Sequence, residues 1–278
     1  MSGNGSCGEP VFAQNRLVGW AFLVQLAVYV SFYVPVLYVM CRHFRSGNTY
    51  KIMILLGVID LLDLGATGLS SGYWSVTGVW VERLTGFPCQ SNQARQMDIV
   101  LRIMNSLWAA DTLCCSLLGV NRAIELSSSY WGEMLFGGNM MLVWLSGPVL
   151  YGLCTWLFLR FCHCILIYYH AALGFVILAG QYGLLINQVN NFANITIIVS
   201  CYLVVIYRVR QLKVESANAV SQESKETVAR KRRATMSAMA VSSLCAITMI
   251  GYVVIPRFTT RPIVYTLLTF VAQTTIGL

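Results

Sequence analysis

Residues 97–121 read MDIVLRIMNSLWAADTLCCSLLGVN, and Arg122, Ala123, Ile124 and Glu125 follow. The segment is mostly apolar and long enough to cross a bilayer core of about 30 Å. It nevertheless carries Asp98, Arg102 and Asp111. Charged side chains at lipid depth are expensive, so they default to functional or interior-facing roles. Cys89 precedes the segment, after the turn residues Gly86, Phe87 and Pro88, and Arg122 closes it. A cysteine at one end and an arginine at the other predict a helix crossing from an oxidising to a reducing compartment. It is the central helix of a polytopic membrane protein.

Composition agrees. Of 278 residues, 57% are hydrophobic and only 11% charged, against roughly 25% charged in soluble domains. The formal charge of +8 comes from basic residues that flank apolar segments. They form no soluble basic face, which excludes a nucleic-acid partner. The ten cysteines are no disulfide scaffold. Cys41, Cys114, Cys115, Cys154, Cys201 and Cys245 lie in or beside apolar segments and read as small core hydrophobes.

Outward from the central helix, the apolar stretches predict spans at 17–40, 50–73, 97–121, 135–158, 191–207, 234–255 and 263–278. The first span has no basic residues of the signal-peptide kind before it and is too long to be one. The last holds 16 residues, roughly 24 Å of helix, and reads as truncated. Residues 162–185 are also apolar, and parity decides their role. If they do not cross, loops 41–51 and 208–235 share one side, which holds twelve Lys/Arg against six opposite. If they cross, the basic loops fall on opposite sides, against the positive-inside rule. The expectation is therefore an all-α membrane protein, a seven-transmembrane helix bundle with residues 1–16 outside and 162–185 an apolar cover or re-entrant piece. Residues 123–134 are expected to be a short loop.

That topology exposes Asn4 of the sequon Asn4-Gly5-Ser6 to glycosylation, whereas Asn194-Ile195-Thr196 lies inside a span. It also places Cys89, Cys162 and Cys164 on the oxidising face, either all free or with Cys89 bridged to Cys162 or Cys164. Asp60 and Asp63 share one face of the second span at i and i+3. Asp60 lies roughly 14 Å in from Lys51, and Asp111 roughly 16 Å in from Arg122. Carboxylates on two helices at similar depth suit a shared cation or proton, though polar residues satisfied by neighbouring helices are the plainer reading. Asp98 and Arg102, four apart, read as a structural pair. The run Arg230-Lys231-Arg232-Arg233 reads as an anchor on anionic lipid, a surface for a cytosolic transducer, or both.

Seven spans, an outside N-terminus, an arginine closing the third helix and a basic third inner loop look like a rhodopsin-like G-protein-coupled receptor. Closer motifs are Tyr50-Lys51-Ile52-Met53 with Leu55-Leu56-Gly57 and Asp60, and Trp108 fourteen residues before Asn121-Arg122. Asn190-Asn191 and Ala272-Gln273 complete a pattern that resembles the nematode serpentine chemoreceptors of class T. The resemblance implies a chemosensory receptor in the plasma membrane of a sensory neuron, signalling through a heterotrimeric G protein. Arg122 would be its switch, with Asn121 replacing the acidic neighbour of other receptors and weakening the lock. The ligand would be a small molecule or peptide between the outer halves of helices, with Met104, Asn105, Trp108, Ile198 and Tyr252 as lining candidates. No cofactor is expected. A transporter or channel built on Asp60, Asp63 and Asp111 is the alternative, but internal repeats are lacking. An intramembrane enzyme has neither a His-Glu-x-x-His motif nor a Gly-x-Ser-x-Gly elbow to support it.

Overall fold

The computed structural model describes residues 16–42, 48–77, 92–161, 166–169, 174–177 and 181–218, with short runs beyond, of which 245–251 is the longest. In chain order they form α1 (Arg16–Arg42), α2 (Asn48–Thr77), α3 (Asn92–Ser127), α4 (Ser129–Phe136) and α5 (Met140–Phe161). The hairpin β1 (Leu166–Tyr169) and β2 (Gly174–Ile177) and the long α6 (Gln181–Asn218) follow. Five of these helices, α1, α2, α3, α5 and α6, are long and apolar enough to cross a membrane. Of the two further expected spans, 234–255 is helical over 245–251, and nearly all of 263–278 lies outside the described residues.

α3 is the strut around which the rest is laid, with α2, α4, α5, α6 and β1 all packing on it. Its apolar window is 67% buried, against 11% for α1, 17% for α5 and 22% for α6. The outer helices turn large apolar side chains outward instead. Phe32, Leu142, Phe161, Phe192 and Leu203 are each more than 60% exposed. In water such a surface would aggregate; against acyl chains it is at rest.

Lipid tails are as apolar as leucine, so helices in a bilayer associate through close packing. The α1–α2 seam does this with small residues. A Cβ at Gly72 would lie 2.6 Å from Leu23 Cγ, and one at Gly68, a turn earlier, 3.1 Å from Leu26 Cβ. Gly72→Leu is therefore expected to cut the amount of protein labelled at the cell surface severalfold, since overpacking costs about 1–3 kcal/mol. Gly65 has nothing within 4 Å of its would-be Cβ, and Gly65→Leu should leave surface labelling unchanged.

The helices outrun the apolar stretches that announce them. α3 spans 92–127 rather than 97–121, and α6 continues to Asn218, so the polar segment 208–234 starts as helix. Once a helix is nucleated, each added residue gains a backbone hydrogen bond whether or not it is apolar. Residues 123–134 are accordingly no loop. They complete α3 and enter α4, whose N-cap Ser128 is extended (φ −158°, ψ 120°), its Oγ accepting from Trp131 N. Leu135 and Phe136 belong to α4, so the next span begins at Met140, not 135. Phe136 is fully buried, and its ring sits 5.5 Å from that of Trp144.

Between α5 and α6, strands β1 and β2 pair antiparallel with Leu166 opposite Ile177 and Tyr169 opposite Gly174. A four-residue strand reaches about 13 Å, less than half of a ~30 Å hydrocarbon core.

Candidate functional site

Three clusters of polar side chains lie along α3. The first holds the carboxyl groups. Asp60, Asp63 and Asp111 are all buried, at 6%, 4% and 4% exposure. α1 contributes Tyr33, whose Oη donates to Asp60 Oδ2. Asp60 on α2 and Asp111 on α3 are buried in the same α2–α3 seam, close enough to feel one another's charge. Asp63 Oδ1 accepts from Thr67 Oγ1, one turn on, at 3.3 Å. Asp111 is also the acceptor for two thiols, Cys115 Sγ on Oδ1 and Cys245 Sγ on Oδ2, each at 3.9 Å. The sequence places two carboxylates at equal depth; the structure adds the phenol and the thiols.

On another face of α3, between Trp108 and Ser116 and so at much the same depth as Asp111, α3, α5 and α6 share a chain of amides and hydroxyls. Trp108 Nε1 donates to Asn191 Oδ1 at 3.3 Å. Asn190 Oδ1 accepts from Tyr151 Oη at 2.7 Å and from Asn194 Nδ2 at 2.9 Å. Ser116 Oγ donates to Asn194 Oδ1 at 2.7 Å, and Asn190 Nδ2 to Thr112 Oγ1 at 3.4 Å. Asn191 is 1% exposed, yet its Nδ2 has no hydrogen-bond partner among the described residues. Of the expected lining residues, Trp108 joins this network. Ile198 is fully buried in the main core, and Met104 turns toward α2, where Ser70 Oγ lies 3.5 Å from its Sδ. Asn105 is half-buried, and Tyr252 lies outside the described residues. Thr112, Ser116 and Tyr151 were not singled out from sequence. Their partners are Asn190 and Asn194, and three asparagines within five residues of an apolar span are the signal that points there.

Toward the C-terminal end of α3, Asn121 and Arg122 meet a further acid. Arg122 Nη1 lies 3.1 Å from Glu125 Oε2, one turn further along α3. Thr49, at the start of α2, donates to that same oxygen at 3.1 Å and to Asn121 Oδ1 at 2.8 Å. Asn121 Nδ2 closes the ring on Glu125 Oε1 at 3.3 Å. A Cβ at Gly132 of α4 would sit 3.2 Å from Glu125 Cγ, so α4 backs the acid closely. Arg122 is thus paired, but its Nε is buried with no partner among the described residues. Such an arrangement holds a guanidinium loosely and leaves it something to gain elsewhere.

Asp98 and Arg102 form the expected pair, with Nε and Nη2 of Arg102 both 2.9 Å from Asp98 Oδ2. Arg102 Nη1 also donates to the Leu159 carbonyl at 2.5 Å, tying α3 to the end of α5. Two of the expected small core cysteines, Cys41 and Cys154, are exposed on the outer faces of α1 and α5. Asn4, Cys89, Cys162, Cys164 and the run Arg230–Arg233 lie outside the described residues.

Against known families, the model of the serpentine type 7TM GPCR chemoreceptors Srt matches residues 6–277, nearly the whole chain. No curated protein matches it.

Proposed function

The chain belongs to the serpentine type 7TM GPCR chemoreceptor family Srt, and from that premise we propose a ligand-gated switch in a seven-span bundle. It is a multi-pass membrane protein of a chemosensory receptor family, and that family is not one of enzymes. In the proposed reading the N-terminus faces outside, an external small ligand binds near Trp108 and Asn191, and a heterotrimeric G protein is activated at the inner face of a sensory-neuron plasma membrane.

The observation that carries the reading is the ring of Thr49, Asn121, Arg122 and Glu125. Arg122 and Glu125 pair within α3, and the Thr49 hydroxyl alone ties α2 to the ring, so the link between the two helices is cheap to open. A ligand biases the switch only by its difference in affinity for the two states. A loosely held arginine lets a modest difference suffice, and the freed guanidinium is then available to the transducer. The basic run Arg230–Arg233 would supply the flanking contact. Arg122→Ala is expected to lower G-protein nucleotide exchange at least tenfold while surface labelling stays within twofold. Retained exchange would remove the switch role from Arg122.

The carboxyl cluster fits a shared proton or a cation that stabilises one state. Asp60→Asn and Asp111→Asn should each abolish whatever sodium or pH sensitivity the signalling shows. If that sensitivity survives both substitutions, the carboxyl cluster is structural only. Uptake or current without G-protein dependence would favour the transporter reading instead.

A further inference from the structure

Among the described residues, Asp111, Cys115 and Cys245 bring three metal-ligating side chains to one point, all buried. Asp111 and Cys115 are one turn apart on α3, and Cys245 opens the helical run 245–251. Their ligand atoms all lie within 4.8 Å of one another, and each Asp111 oxygen is 3.9 Å from one thiol. Zinc bonds of about 2.3 Å to sulfur and 2.0–2.2 Å to oxygen place tetrahedral ligands roughly 3.5–3.8 Å apart. The three side chains therefore need to close by no more than about 1 Å. Two thiols in the set select a soft or borderline ion over sodium, magnesium or calcium.

We propose that Asp111, Cys115 and Cys245 form a site for zinc or a similar thiophilic d10 cation, clasping α3 to the segment that carries Cys245. Binding replaces the two thiol protons, which leave to solvent, so the ion meets two thiolates and a carboxylate. Three protein ligands leave the fourth position open to water or another donor. Without metal, the same groups are satisfied as two thiols donating to one carboxylate, so the fold does not require the ion. The functional consequence rests on the switch proposed above: with the ion bound, α3 is held against the segment that carries Cys245 about two turns from Arg122, which restrains α3 when the ring on Glu125 opens. The metal is therefore a negative modulator.

The test uses the full-length receptor purified in lipid nanodiscs, with cadmium as the spectroscopic probe. One equivalent of Cd2+ should give a thiolate-to-metal charge-transfer band that Zn2+ removes. Cys115→Ser and Cys245→Ser should each weaken Cd2+ binding by more than about tenfold, the loss that even an outer partner of a metal ligand produces. Cys114→Ser, whose thiol faces the Ile52 carbonyl instead, should leave it unchanged. Should a serine variant fail to fold, alkylation of the wild-type receptor decides: Cd2+ must protect Cys115 and Cys245 together. A band indifferent to both substitutions, or no joint protection, overturns the site. Signalling is read separately. If Cd2+ binds as described but does not reduce G-protein exchange, the site stands and its modulatory role falls. If the receptor signals and no metal binds, the receptor reading stands and the metal site falls.

Discussion

On the proposed switch, Glu125→Gln is expected to raise ligand-independent G-protein activation roughly five- to tenfold. The amide keeps the shape of the carboxylate and its hydrogen-bonding reach but removes the charge opposite Arg122. A hydrogen bond to a charged partner contributes about 1.5–3 kcal/mol when buried. Here Glu125 is 28% and Arg122 12% exposed, so about 1–1.5 kcal/mol is the reasonable share. Each 1.4 kcal/mol is a factor of ten in the ratio of states. Nucleotide exchange measured without ligand checks this, at matched surface density. The double variant Glu125→Gln/Arg122→Ala should be silent, because the liberated group is then missing. A silent single variant with normal surface density would show that Glu125 restrains nothing.

Asn194→Leu should cost more than any other change in the amide network that joins α3, α5 and α6. The side chain donates to the Asn190 carbonyl and to Asn190 Oδ1 and accepts from Ser116. Leucine fills the space but leaves Ser116 Oγ only the Thr112 carbonyl, takes one of the two donors from Asn190 Oδ1, and removes a donor from the Asn190 carbonyl. Each buried polar group left unmade costs about 1–3 kcal/mol. The expected result is a several-fold fall in folded surface receptor and a lower melting temperature in detergent. The lipid-facing Phe192→Leu, 68% exposed on the same helix, should be silent. Equal behaviour of the two variants would contradict the network's role.

What sequence could reveal followed from distance along the chain. Asp98, Arg102 and Asp111 in one apolar segment mark α3 as the buried helix, because lipid tolerates no other placement. Asp60 and Asp111 could be matched by depth, since helical rise converts residue number into ångströms. The family was legible in Trp108 and Asn121-Arg122. Partners far apart in sequence were not. Glu125 acquires its role from Thr49, 76 residues away, and Cys245 reaches Asp111 across 134 residues. Cys115 and Cys245 read as small hydrophobes because burial is their ordinary state, and nothing local distinguishes a packed thiol from a poised one. The hairpin was hidden for another reason: residues 162–185 are apolar on both alternating faces, so they lack the period that separates strand from helix. α4 was signalled only by serines 127–129, an N-cap run that the larger span pattern overshadowed.

The central claim is that Arg122 and the basic segment 208–234 face the cytosol in a receptor with an external N-terminus. Glycosylation and protease mapping in intact membranes test it most directly, with a tag in 219–234 and Asn4 as the outer reporter. The account predicts a glycosylated Asn4 and a tag cleaved only after permeabilisation. A tag cleaved in intact cells would place that segment outside and contradict the receptor topology.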